Sequence, residues 1–262
     1  MGRTLSPLIL EICIDSLESA RAAEAGGADR VELCSALHIG GLTPSDALLR
    51  SVRTALKIDI FAMVRPRGGT FVYSQAELRE MLAAIRHVRD LGADGVVLGA
   101  LTPANTVDGE MLTELVAAAR PMKVTFHRAF DVCVELHEAL EQVIAAGADR
   151  VLTAGGSGTA SQALPQLQKL VQSAGDRIAI LAGGGVRESN VRELVLATGV
   201  HEVHSSMGFS EADARRTQSS LARPRNGSES GSSFVVSEKD VRAMRNVLTD
   251  LRTESGVPAA DR

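Results

Sequence analysis

Ala25-Gly26-Gly27-Ala28-Asp29-Arg30-Val31-Glu32-Leu33 is heard again as Leu91-Gly92-Ala93-Asp94-Gly95-Val96-Val97-Leu98. It returns as Ala146-Gly147-Ala148-Asp149-Arg150-Val151-Leu152, and more loosely as Thr198-Gly199-Val200-His201-Glu202-Val203. Each copy reads as a helix stopped by glycine, a short turn and a β-rich run. The copies start at Gly27, Gly92, Gly147 and Gly199, so they are 65, 55 and 52 residues apart. A βα unit of a barrel averages roughly 30 residues, which makes each copy two units long.

Working outward, strands are expected at 8–15, 29–35, 59–66, 94–101, 123–130, 149–155, 177–183 and 201–206. Helices are expected at 16–25, 44–57, 75–91, 109–119, 134–146, 161–173, 188–197 and 238–251. Start signals are Thr43 before Pro44, Ser74 with Glu77, and Ser237 with Asp240. Unbroken alternation of eight strands with eight helices predicts a single (β/α)8 TIM barrel, an α/β fold occupying 1–262 as one domain. An open doubly wound sheet fits less well: it would carry a glycine-rich turn after strand one, and Asp15-Ser16-Leu17-Glu18 has no glycine. A polar, Ser/Arg/Gly-rich connection at about 209–233 and a short tail from about 252 complete the chain.

Hydrophobic residues make up 45% and charged residues 23%, ordinary globular usage. A formal charge of −4, aromatics at 3% and no Trp argue against a nucleic-acid surface. No apolar stretch approaches the roughly 18 residues of a membrane span. Three cysteines do not make a disulfide framework. The expectation is a cytoplasmic protein with neither nucleic acid nor membrane as partner.

Strand alternation says what faces the barrel interior. It turns Glu11, Cys13 and Asp15 inward on strand one, Glu32 and Cys34 on strand two, and Met63, Arg65 and then Arg67 on strand three. Thr125 and His127 point in from strand five, and Glu202, His204 and Ser206 from strand eight. Barrel interiors are ordinarily filled by branched aliphatics. Carboxylates, arginines and imidazoles there mark either a site or a structural ion network. Gly155-Gly156-Ser157-Gly158 and Gly183-Gly184-Gly185 follow strands six and seven, where barrels often bind phosphate. They serve equally as tight turns. Cys13 and Cys34 lie on neighbouring strands about 4.8 Å apart. Two thiolates there suit a soft ion such as Cu(I); a disulfide is sterically allowed, and plain packing is the commonest fate of buried cysteines.

These segments together resemble the CutC copper-homeostasis family. The resemblance is carried by Leu10-Glu11-Ile12-Cys13, Asp29-Arg30-Val31-Glu32-Leu33-Cys34, Gly40-Gly41-Leu42-Thr43-Pro44-Ser45 and Arg65-Pro66-Arg67-Gly68-Gly69. Thr125-Phe126-His127-Arg128-Ala129-Phe130-Asp131, Arg150-Val151-Leu152-Thr153 and Glu202-Val203-His204-Ser205-Ser206 continue it. It implies a TIM barrel, a cytoplasmic homo-oligomer and a role in copper tolerance, with Cys13 and Cys34 as Cu(I) ligands. Ala154 stands where the family usually has Ser, and His38-Ile39 where an acidic position is common. The competing expectation is an enzyme acting by acid/base chemistry on a small anionic substrate, phosphorylated ones included. Its acid/base candidates are Glu11, Glu32 and His127. Its substrate contacts are Arg65, Arg67, Asp131, Thr153, Gly183, Gly184 and His204, with Arg65 and Arg67 as an anion clamp. A scaffold whose inward charges pair among themselves is the third reading.

Overall fold

A computed structural model describes residues 8–156, 158–207 and 235–254. Its first half runs β1 (Ile9–Ile14), α1 (Leu17–Ala25), β2 (Arg30–Leu33), α2 (Asp46–Ala55), β3 (Asp59–Met63), α3 (Gln75–Asp90), β4 (Gly95–Leu98) and α4 (Gly109–Ala119). The second runs β5 (Lys123–Phe126), α5 (Leu136–Ala145), β6 (Arg150–Thr153), α6 (Leu164–Ala174), β7 (Ala179–Ala182), α7 (Glu188–Thr198), β8 (Glu202–Ser205) and α8 (Glu238–Glu254). The strands are all parallel, in sequential order, and β8 closes on β1. This is the (β/α)8 barrel expected from the fourfold echo. The connection expected at 209–233 lies outside the described residues. No described helix is long and apolar enough to cross a membrane.

The echo has a mechanical reason. The glycines that open the copies, Gly27, Gly92, Gly147 and Gly199, all hold positive φ, between 74° and 94°, where any side chain is strained. In the first three copies the following aspartate then clips its own strand to the preceding one. Asp29, Asp94 and Asp149 accept from the backbone N–H of Leu10, Ile60 and Val124 at 2.8–2.9 Å. Their own amides donate back to the carbonyls of the same three residues. Each carboxylate also meets a guanidinium, from Arg245, Arg53 and Arg120 respectively. The fourth copy has His201 in that position and uses its carbonyl, which accepts from Ile9 N at 2.9 Å.

Two hydrophobic layers follow from strand alternation. Ile12, Val31, Leu33, Ile60, Ala62, Val124, Phe126 and Val203 pack outward against the helices. A much smaller inner cluster holds Cys13, Cys34, Phe61, Met63 and Val97. Helix starts follow the expected chemistry at Ser74 and Glu77, which form a reciprocal capping box. Thr43 is not a cap: α2 begins later, behind Ser45, while the Thr43 hydroxyl exchanges hydrogen bonds with the Arg65 backbone. The last helix extends to Glu254, past the expected end at 251.

Candidate functional site

The base of the barrel is an ion network. Arg30, two residues before Glu32 and therefore also inward, pairs with Glu11 and, through Nη2, with Glu202 Oε2 at 2.7 Å. Arg150 reaches the same Glu202 oxygen at 3.1 Å. Both guanidiniums lie over the Phe61 ring, 4.7 and 4.9 Å from its centroid. Gly95 leaves room for that ring, since a Cβ there would stand 2.6 Å from it. Burial by itself would raise the Glu11 pKa, but Arg30 and then His204 outweigh it and hold it at about 2.

One storey higher, His204 is suspended between two carboxylates. Its Nδ1 donates to Glu11 Oε1 at 2.7 Å, and its Nε2 lies 3.9 Å from Glu32 Oε2. Burial opposes charge on the ring, but Glu32, the Cys13 thiol and Glu11 together push its pKa well up. His204 is thus an imidazolium. Burial raises Glu32, whose Oε1 has no partner. Cys13 stands in register with Glu32, and the Cys34 thiol donates to Glu32 Oε2 at 3.7 Å. Both thiols are free and buried. The neighbouring Cys34, burial and the Glu32 carboxylate together hold Cys13 well above the usual thiol range. The neighbouring Cys13 lowers Cys34, but burial and Glu32 carry it up to about 11. The Cys13 sulfur, a Glu32 oxygen and a His204 nitrogen lie within 4.8 Å of one another, a three-donor group able to hold a metal ion.

These side chains form one wall of a cavity of about 720 Å³ at the C-terminal strand ends. Arg65, Phe71, His127, Arg128, Leu152 and Arg187 line the rest, with the bare backbone of Gly184 and Gly185. His127 is buried, and its Nδ1 accepts from Ala129 N at 3.2 Å. Burial first, and then the nearby Arg65 charge, drive its pKa down to about 3. The ring is therefore neutral with its proton on Nε2, and that N–H has no partner.

The structure brings Cys13, Cys34, Glu32, Met63, Arg65, His127, Gly184, His204 and Ser206 to this cavity, and keeps Glu11, Arg67, Asp131, Thr153 and Gly183 out of its lining. Arg67 turns away to Glu77 and the Tyr73 ring, because the strand ends at Met63 and alternation ends with it. The clamp of Arg65 with Arg67 is not formed. Glu11 lies beneath the cavity, occupied by Arg30 and His204. Asp131 accepts from the Thr153 hydroxyl and from the amides of Ala154 and Gly156, and Thr153 accepts from Gly155 N. Both shape the turn after β6. Gly183 is buried against Leu152 and His204, and neither it nor His38 lines the cavity. Asp15 emerges exposed at the end of β1. Sequence reasoning passed over Arg30 and Arg150, which strand parity alone would have placed inside. It also passed over Arg128, which opens a short 3-10 turn after β5, and Phe71, in the irregular segment before α3, where strand alternation no longer runs.

The residues of this cavity wall come from segments scattered from Cys13 to Ser206, and the sequence matches the CutC family over residues 8–209. The chain belongs to the CutC family. It is 41% identical over 250 residues to the human copper homeostasis protein cutC homolog, covering 95% of this chain and 88% of that one. A CutC family protein of Xylella fastidiosa is 48% identical over 197 residues, 75% of this chain and 74% of its own length. The crystal structure of the putative copper homeostasis protein CutC from Streptococcus agalactiae superimposes with a TM-score of 0.73 at 34% identity. That match covers 76% of this chain and 98% of the other. CutC membership and the barrel thus agree with the resemblance read from the sequence.

Proposed function

We propose that this CutC-family chain is a cytoplasmic copper-homeostasis protein, acting as a homo-oligomer, that takes Cu(I) as cargo on Cys13 and Cys34. The observation that carries the reading is the pair of free, buried thiols packed in one inner cluster and lining one cavity. Two sulfurs suit a soft monovalent ion. The unpartnered Glu32 Oε1 and the nearby His204 ring offer further donors. Both thiols are protonated at neutral pH, so uptake would exchange their protons for the metal. Two thiolates and one Cu(I) would carry a net charge of −1, and the adjacent His204 imidazolium is placed to balance it. A reducing cytoplasm keeps such a pair from closing into a disulfide.

Anaerobic titration with Cu(I) against a chromophoric chelator tests the assignment. The wild-type chain should take up one equivalent, and the Cys13→Ser/Cys34→Ser variant none. Unchanged stoichiometry in that variant overturns the reading. Light scattering on the same samples tests the oligomer.

A further inference from the structure

A cavity of about 720 Å³ is far larger than one ion needs and lies within the size range of small-molecule sites. Its arginines are also poorly matched by acids. Arg65 is only 4% exposed, yet its guanidinium donates only to neutral carbonyls, those of Ile39, Gly41 and Gly69 at 3.0–3.1 Å. Its Nε has no partner, and it has no carboxylate partner among the described residues. The buried Arg30 and the half-buried Arg150 at the base are both paired with acids, as charges taken out of water ordinarily are. Arg65 is a buried cation awaiting an anion.

Other donors in the same cavity are also uncommitted. His127 Nε2–H is buried and unpartnered. Arg187 spends Nη1 on the Val186 carbonyl and pairs with no carboxylate among the described residues. Arg128 bonds Asp131 through Nε alone. Its guanidinium lies against Gly184, where a Cβ would stand 3.3 Å from Cζ, so the backbone there is kept bare beside a cation.

We propose that the cavity binds a small organic anion, a phosphate ester or a carboxylic acid. Arg65, Arg128 and Arg187 supply the charge, and His127 Nε2–H donates a directed hydrogen bond to one of its oxygens. The inference goes beyond copper and does not depend on it. Glu32 is the acid among the described lining residues, and it is turned to the thiol wall, where its Oε2 accepts from the Cys34 thiol and lies 3.9 Å from His204 Nε2. Phe71 and Leu152 give the ligand apolar surface, which suits an organic anion better than a bare ion. Because His127 is held neutral, it serves as a donor and not as a second charge.

The test uses the metal-free chain in reductant, titrated calorimetrically with glycerol 3-phosphate, with lactate and with uncharged glycerol. At least one anion should bind and glycerol should not; the two anions separate phosphate from carboxylate recognition. The Arg128→Ala/Arg187→Ala variant, altered only at the cavity mouth, should weaken that binding about tenfold or more. His127→Gln should weaken it less, because the three guanidiniums remain. Arg65→Met should abolish binding in a chain whose circular dichroism is native. Failure of both anions to bind better than glycerol overturns the proposal. So does undiminished binding by a folded Arg128→Ala/Arg187→Ala variant.

Discussion

Gly99 and the His127 ring are in such close contact that a Cβ at position 99 would stand 2.7 Å from both Cε1 and Nδ1 of the imidazole. The glycine sets where the ring lies, and through it the direction of the unpartnered Nε2–H. Gly99→Ala should therefore fold but be overpacked by about 1–3 kcal/mol in denaturant unfolding. The His127 ring resonances should move in the same variant. An unchanged His127 spectrum would show that the glycine does not position the ring.

Glu11→Gln should be far more costly. The substitution keeps the shape but leaves Arg30 and His204 each short of a buried counter-charge, and breaking such a pair costs about 3–5 kcal/mol. The pKa of His204, followed by NMR, should fall at the same time, because Glu11 is one of the groups holding it up. A loss below about 1 kcal/mol would rank the network with solvent-exposed ion pairs.

Acid should weaken the fold in two overlapping windows. His127 is held at about 3 against an ordinary 6.5, and Glu11 at about 2 against 4.5. Both folded values are depressed, so the unfolded chain binds more protons and stability drops as pH drops. The His127 contribution is complete above 6.5 and is lost toward 3; that of Glu11 is complete above 4.5 and is lost toward 2. His204 works in the other direction, stabilising at low pH and fading only as pH rises through its elevated folded value. Urea midpoints measured from pH 7 down to pH 4 should fall, and His127→Gln should flatten most of that slope. Equal slopes in the two proteins would contradict a buried neutral His127.

The repeated aspartates offer a local test. Asp94→Ala removes the acceptor for Ile60 N–H and the partner of Arg53. The expected loss is about 1–3 kcal/mol. Amide hydrogen exchange should accelerate at Ile60 well before it does at Leu10 or Val124, whose own aspartates remain. Uniform acceleration across the three would mean that the clips do not act separately.

Strand order, strand number and the inner faces of the strands were legible because two periods are written into the chain. The glycine–aspartate echo marks alternate strands, and the two-residue alternation sorts Glu11, Cys13, Glu32, Cys34, His127 and His204 inward. What lies past the last strand residue was not legible. Arg65 still points into the cavity, but Arg67 does not, because a Pro-Arg-Gly-Gly turn follows alternation's end. Asp131 has the chemistry of a ligand-binding acid and spends it on the turn after β6, a use visible only when the Ala154 and Gly156 amides are seen facing it. Nor does composition reveal that Arg30 and Arg65, equally buried, differ in having and lacking an acid.

The aspartate clips differ in when they become available. Asp94 and Asp149 find their guanidiniums 41 and 29 residues away, whereas Asp29 finds Arg245 at a separation of 216. Arg245 also reaches the carbonyls of Gly27 and Leu8, so one side chain of the final helix ties down the first two strands. A chain emerging from the ribosome can complete its middle clips on the way out, but the first stays open until α8 has been made. The earliest part of the barrel to be synthesised is thus the last to be locked, and a ribosome stalled before residue 245 would leave it holding a ring without its clasp.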